Sequence, residues 1–146
     1  MSASDKPDFV LETYIKTTPK QLWQALTDGE ITKNYFQGDA SIESSFNQGD
    51  AYLHTSAEGN PMLTGEIIEA SPYTRLAMTF LPTFMERTDK LSHNVYEIEE
   101  LAEVCKLTIS HYGVTPELSG VRDGWAKIAA RLKTYLETGE TLNLAA

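Results

Sequence analysis

The sequence predicts an α+β protein in which a curved antiparallel β-sheet wraps around one long C-terminal α-helix, with two short helices after the first strand. Between Ala40 and Tyr112, short segments of alternating polarity are separated by turn residues, as in a series of hairpins. From Ser119 to Gly139, large apolar residues recur every three or four positions, which is the period of an amphipathic helix. Because one apolar sheet face must be covered, we predict that this helix covers it.

The N-terminal part predicts one strand and two short helices. We place a loose leader at Met1 to Asp8, a strand at Phe9 to Lys16, a helix from Thr18 to about Asp28, and a second helix at Ile31 to Phe36. Thr18 is suited to cap the first helix, since Pro19 follows it and Gln21 stands three residues later. The inward residues of this helix are expected to be Leu22, Trp23 and Leu26.

The middle of the chain predicts a meander of strands. We place them at Ala40 to Phe46, Asp50 to Ser56, Met62 to Ala70, Thr74 to Leu81, His93 to Leu101 and Val104 to Tyr112. Their connections are short, and a parallel crossover needs about a dozen residues or more, so neighbouring strands must pair antiparallel. Leu76, Met78 and Phe80 alternate with Arg75, Ala77 and Thr79, which predicts one apolar and one polar face.

The C-terminal helix has a defined end and an unusual beginning. Gly139 stands where a left-handed cap would end the helix. Gly124 is unfavourable inside a helix by about 1 kcal/mol relative to alanine, so we expect a late or irregular start. Leu132 lies on the predicted apolar face, and we expect its replacement by alanine to cost about 2 to 5 kcal/mol.

Composition predicts one globular domain, residues 1–146, in the cytoplasm. Hydrophobic residues make up 41% of the chain and charged residues 23%, and the net charge of -9 disfavours nucleic acid and anionic lipid as partners. The only cysteine, Cys105, allows no intrachain disulfide. The polar N-terminus resembles no signal peptide, and no stretch has the length of a membrane span.

The polar residues do not predict a metal or cofactor site. His54, His93 and His111 fall on three different strands without ligand spacing. His111 continues the apolar side of its strand, which indicates either a core histidine bonded to a hydroxyl or carbonyl, or a ligand contact. The glutamates Glu97, Glu99, Glu100 and Glu103 are interpreted as the solvated face and turn of an edge hairpin.

A space between helix and sheet is the expected binding site. Apolar walls with a few polar groups are typical of small-molecule pockets. The candidate lining residues are Tyr52, His54, Met78, Phe80, Tyr96, Ile109, His111, Trp125 and Ile128. Phe84 and Met85 are further candidates for apolar walls, and ordinary core packing is the alternative for all of these residues. We assign no catalytic residue, because no nucleophile motif or phosphate-binding loop is present.

Several motifs, in order along the chain, carry a family resemblance. They are Ile15 to Thr27 (IKTTPKQLWQALT), Phe46 to Asp50, Gly65 to Glu69 with Pro72 and Arg75-Leu76, Leu107 to Gly113, and Gly124-Trp125 with Leu132 to Gly139. Together they resemble the START-like, helix-grip superfamily called SRPBCC, and within it the domain family named after the activator of Hsp90 ATPase. The resemblance implies a helix-grip fold over nearly the whole chain.

The resemblance leaves three functions open, because proteins of this kind bind lipids, hormones or polyketides, act as cyclases, or assist chaperones on one scaffold. The first hypothesis is a non-enzymatic carrier or sensor of an apolar, ring-containing or lipid-like small molecule. The second is a module that binds an Hsp90-type chaperone. The third is a cyclase-like acid–base enzyme using His111, His54 or Tyr96. We favour the carrier, with no cofactor; the oligomeric state is left open.

Overall fold

The computed structural model describes residues 6–86 and 91–144. Its strands are β1 (Phe9–Ile15), β2 (Ser41–Glu43), β3 (Ala51–Thr55), β4 (Pro61–Ser71), β5 (Arg75–Pro82), β6 (Ser92–Leu101) and β7 (Val104–Tyr112). Its α-helices are α1 (Pro19–Thr27), α2 (Gly29–Thr32) and α3 (Val121–Thr138), and short 3₁₀ turns lie at Gln37–Asp39 and Pro116–Leu118. The predicted α+β helix-grip class, with its sheet, short helices and terminal helix, is confirmed.

The strands form one antiparallel sheet in the order β1-β7-β6-β5-β4-β3-β2. The meander from β2 to β7 follows from the short connections, and β1 adds to its far edge by pairing with β7, with Phe9 opposite His111 and Ile15 opposite Cys105. The first strand therefore lies beside the last one. Large apolar residues of the concave face, including Leu76, Ile109 and Leu107, are completely buried.

The two short helices are set by their caps. The Thr18 hydroxyl accepts a hydrogen bond from the Gln21 amide at 3.2 Å, as the capping motif predicts. The second helix was predicted at Ile31 to Phe36, and this placement is wrong: α2 begins at Gly29. It begins earlier because the Asp28 carboxylate caps it by accepting from the Glu30 amide at 2.9 Å.

The terminal helix α3 starts late and ends where expected. The segment before Val121 is a 3₁₀ turn, so the chain becomes α-helical two residues after the predicted Ser119. Gly139 adopts the left-handed conformation, with φ of 78°, and its amide donates to the Tyr135 carbonyl. The buried face of α3 is formed by Trp125, Ile128, Ala129 and Leu132.

Two other boundaries differ from the prediction. The strand predicted at Ala40 to Phe46 is only the three-residue β2, because the Ser44 side chain accepts from the Phe46 amide and turns the chain away. The predicted leader is tied down at its end, where the Asp8 amide donates to the His111 carbonyl at 2.9 Å. Residues 1–5 of that leader lie outside the described residues.

Candidate functional site

A cavity of about 370 Å³ lies between the first half of α3 and one end of the sheet. Besides α3, three regions form it: the segment after α2, the adjoining ends of β4 and β5, and the 3₁₀ turn that leads into α3. The lining residues are Phe36, Gln37, Met62, Leu63, Phe80, Pro82, Thr83, Phe84, Glu117, Leu118, Gly120, Val121, Gly124, Trp125 and Ile128. The walls are mainly apolar, and among the described lining residues only Glu117 is charged.

Glycine leaves part of this space empty. Gly124 lies in the first half of α3, and a Cβ atom built on it would meet only the Gln37 Oε1 atom, at 3.4 Å. Gly120, just before α3, also lines the cavity, and a Cβ there would meet nothing within 4 Å. Larger side chains at these two positions would enter the cavity, so the cavity volume depends on both residues being glycine. The same glycines are unfavourable for starting a helix.

The cavity wall is fixed at Trp125 by a buried hydrogen-bond chain. The Trp125 Nε1–H group donates to His111 Nδ1 at 2.9 Å. His111 Nδ1 is therefore the acceptor nitrogen, and its protonated Nε2 donates to the Ser92 Oγ atom at 3.0 Å. The Ser92 hydroxyl then donates to the Phe80 carbonyl at 3.2 Å. Both nitrogens of His111 are occupied, which leaves it no free position for proton transfer.

The buried titratable groups on the concave face are neutral at pH 7. Burial, together with a smaller effect of the nearby His93, lowers the pKa of His111 to about 4. Burial lowers the pKa of His54 to about 3. The same desolvation raises the pKa values of the Tyr52 and Tyr96 hydroxyls well above their usual range. This interior therefore offers hydrogen-bonding groups without formal charge.

The nine candidate residues divide into wall residues and residues behind the wall. Phe80, Trp125 and Ile128 line the cavity. The other six are buried in the core without lining it, and they are Tyr52, His54, Met78, Tyr96, Ile109 and His111. Of the two additional wall candidates, Phe84 lines the cavity and is 75% exposed, while Met85 does not line it.

The cavity-lining residues that sequence analysis missed come mainly from irregular segments. Phe36 and Gln37 follow α2, and the Pro116–Leu118 turn precedes α3. Strand alternation cannot place such residues, because they follow neither a two-residue nor a helical period. The one available signal was Gly124. Glycine lowers helix stability, so its presence within a predicted helix indicated a requirement other than helix stability at that position.

The four glutamates predicted on the β6–β7 hairpin do not line the cavity. Glu97, Glu99, Glu100 and Glu103 are exposed, and Arg75 pairs with Glu97 at 2.9 Å on the outer face of the sheet. Within residues 6–86 and 91–144, no three His, Cys, Asp or Glu side chains are grouped closely enough to hold a metal ion. No helix in this described part is both long and apolar enough to cross a membrane.

Solved structures share this architecture at low sequence identity. The protein MLL2253 from Mesorhizobium loti superposes with a TM-score of 0.73 at 18% identity, covering 88% of this chain and 95% of that chain. The Aha1 dimer from Colwellia psychrerythraea gives a TM-score of 0.73 at 16% identity, covering 90% and 96%. CalU16 from Micromonospora echinospora gives 0.71 at 14% identity, covering 89% and 76%. These similarities establish the fold.

Sequence comparison establishes the family. No curated protein sequence matches the chain at a significant level. A family model does match, over residues 16–137, which run from the end of the first strand to the end of α3. Its description is "Activator of Hsp90 ATPase homolog 1-like protein", in agreement with the motifs quoted above. The chain belongs to this family of activator of Hsp90 ATPase homolog 1-like proteins.

Proposed function

We propose that this protein binds an apolar small molecule in the cavity beside the first half of α3. The observation that carries the proposal is a mainly apolar space of about 370 Å³ between α3 and the sheet. Ligand pockets typically have volumes of about 300 to 1,000 Å³ and apolar walls with a few polar groups. Phe36, Phe80 and Trp125 supply flat aromatic surfaces in this wall, which suit a ring-containing ligand.

The structure supports the small-molecule carrier hypothesis better than the acid–base enzyme hypothesis. The three residues considered for acid–base chemistry, His54, Tyr96 and His111, lie outside the cavity lining. Their pKa values are also shifted away from neutrality, whereas a general acid or base works best with a pKa near the operating pH. A carrier or sensor needs no such group.

Native mass spectrometry of the protein purified from its own cells tests the proposal. We expect a stoichiometric small-molecule adduct, which a denaturing extract run beside it would identify. The matched variants are Gly124→Met, which places a side chain in the cavity, and Ala126→Met, which places the same side chain on the exposed face of α3. The adduct should disappear in the first variant and persist in the second.

The outcomes separate the hypotheses. An adduct that Gly124→Met leaves unchanged would show that the cavity is not the binding site. A second test uses ethylnaphthalene, an apolar ring compound, as a probe ligand in solution. A protein that carries no adduct, binds no ethylnaphthalene and retains a chaperone through gentle purification would contradict the proposal and favour the chaperone-binding hypothesis.

A further inference from the structure

The Asn94 side chain is buried without a hydrogen-bond partner. It is 1% exposed, and among the described residues neither its Oδ1 nor its Nδ2 atom has a partner. Burying an unpaired amide costs free energy, and most buried polar side chains in native proteins are hydrogen-bonded. The unpaired Asn94 amide on the concave face therefore calls for an explanation. Because a cavity lies nearby, a bound ligand could supply the missing hydrogen bonds.

Asn94 lies directly behind the wall of the cavity. It stands on β6, opposite Met78 of β5 and His111 of β7. Phe80 belongs to β5 and His111 to β7, about 10 Å apart across the sheet, yet their ring centroids are 4.6 Å apart. The two side chains must therefore lean toward each other over β6, above the part of that strand that carries Ser92, opposite Phe80, and Asn94, opposite His111.

Hydrogen bonds within the described residues leave both Asn94 and the Phe80 side chain out of the network around His111. The two nitrogens of His111 already bond Trp125 and Ser92. The indole of Trp125 is held by that bond, whereas the Phe80 ring is held only by packing on His111 and Trp125. Rotation of Phe80 would join Asn94 to the cavity without breaking a side-chain hydrogen bond.

We propose that Asn94 is the polar anchor of the ligand, exposed to it when Phe80 rotates. This inference rests on the proposed binding function and adds the chemical class: an apolar body in the cavity and an uncharged head that both donates and accepts hydrogen bonds, as a carboxamide does. An amide complements Asn94 by satisfying both of its polar atoms. A carboxylate head is disfavoured, because the lining residues within 6–86 and 91–144 include no lysine or arginine to balance its charge.

A second unpaired group serves as the internal comparison. His54 Nδ1 also lacks a partner among the described residues, and its ring stacks at 4.1 Å on Phe36, which lines the opposite part of the wall. Replacement of His54 by phenylalanine keeps an aromatic ring against Phe36 and removes the polar nitrogen. The two buried positions can thus be tested separately.

The experiment measures calorimetric affinities for three naphthalenes of similar size: the carboxamide, ethylnaphthalene and the naphthoate anion. The wild-type protein should bind the carboxamide at least tenfold more tightly than ethylnaphthalene, and naphthoate most weakly. Asn94→Leu, of similar volume, should abolish the carboxamide preference and keep the affinity for ethylnaphthalene. His54→Phe should keep the preference, and all three proteins are checked by circular dichroism.

The results distinguish failure of the anchor from failure of the binding function. If wild-type protein binds none of the probes, the proposed function is contradicted, and the anchor with it. If it binds ethylnaphthalene without a carboxamide preference, or if Asn94→Leu keeps that preference, Asn94 is not the anchor. If His54→Phe loses the carboxamide preference and Asn94→Leu keeps it, the carboxamide group of the ligand binds at His54, behind Phe36. Should Asn94→Leu fail to fold, Asn94→Ala removes the same amide with a smaller side chain.

Discussion

At the scale of single residues, His111 shows how a polar side chain becomes part of a core. Its strand position predicted that it faces the helix, and two interpretations were open: a core histidine or a ligand contact. The structure gives it one hydrogen bond from Trp125 and one to Ser92, with no exposed surface. A satisfied neutral imidazole of this kind stabilises one arrangement of helix and sheet.

The two buried histidines predict a loss of stability in mild acid. Their pKa values in the folded protein, about 4 for His111 and about 3 for His54, lie below the ordinary value of 6.5. Below pH 6.5 the unfolded chain therefore binds protons that the folded protein does not, so stability is complete above about pH 7 and falls as the pH decreases toward 4. Each histidine should remove about 2 kcal/mol by pH 5.

Urea denaturation at pH 7.5, 6, 5.5 and 5 measures this loss. His54→Phe should lose about half of the pH dependence while keeping the ring stacked on Phe36. A free energy of unfolding that stays constant between pH 7.5 and 5 would show that these histidines titrate normally in the folded protein.

Gly124 predicts opposite effects on stability and on binding. Alanine at this position should raise the free energy of unfolding by about 1 kcal/mol, since glycine is the poorer helix former. The added methyl group would meet only the end of the flexible Gln37 side chain, at 3.4 Å. The same methyl group enters the cavity, so affinity for ethylnaphthalene should fall. A variant with unchanged binding would contradict the placement of the ligand beside Gly124.

At the scale of elements, α3 joins the fold and the cavity. Its second half packs on the sheet through buried residues such as Leu132, whereas its first half borders the cavity through Gly124 and Trp125. Arg131 adds a polar connection, donating to the Phe36 carbonyl at 2.9 Å and pairing with Asp39 at 2.9 Å. These bonds hold the segment after α2, which contributes Phe36 and Gln37 to the wall.

Leu132 tests the packing of the second half of α3. It is 1% exposed, and Leu132→Ala should lower the free energy of unfolding by about 2 to 5 kcal/mol because it leaves a cavity in the core. Leu136→Ala is the matched control on the same helix, where the side chain is only partly buried and the loss should be smaller. A loss below about 1 kcal/mol for Leu132→Ala would contradict the observed helix face.

At the scale of the whole molecule, the fold combines a dense core with one open end. The core extends along the concave face from β1 to β2 under the second half of α3. The open end is bordered by irregular segments, which leave space that regular packing would fill. A ligand in that space contacts the short-helix region, the sheet and α3 together, so binding should stabilise the fold as a unit.

Ligand-linked stability measures this coupling. A probe that binds only the folded state at about 100 times its Kd should add about 2.7 kcal/mol to the free energy of unfolding. We expect ethylnaphthalene to raise the urea midpoint of the wild-type protein without changing the slope of the transition. Gly124→Met should show no such rise, and Ala126→Met should respond like wild type.

The architecture could be predicted from the sequence because it depends on local periods and end signals. Alternation predicted every end of strands β3 to β7 to within about one residue. The Thr18 cap predicted where α1 begins, and Gly139 predicted where α3 ends. The α2 placement failed because its cap, Asp28, also ends the preceding helix. Motif order along the chain was sufficient for the family.

The cavity was decided by tertiary structure alone. A sequence period shows which face of an element is buried, so it placed all nine candidate residues on interior positions. It does not show where opposing side chains meet and where they leave a gap, since this depends on the summed volumes of residues far apart in the chain. Tyr52, His54 and His111 therefore lie in filled core, while Gln37, Glu117 and Gly124, from irregular or locally unfavourable positions, surround the space that remains.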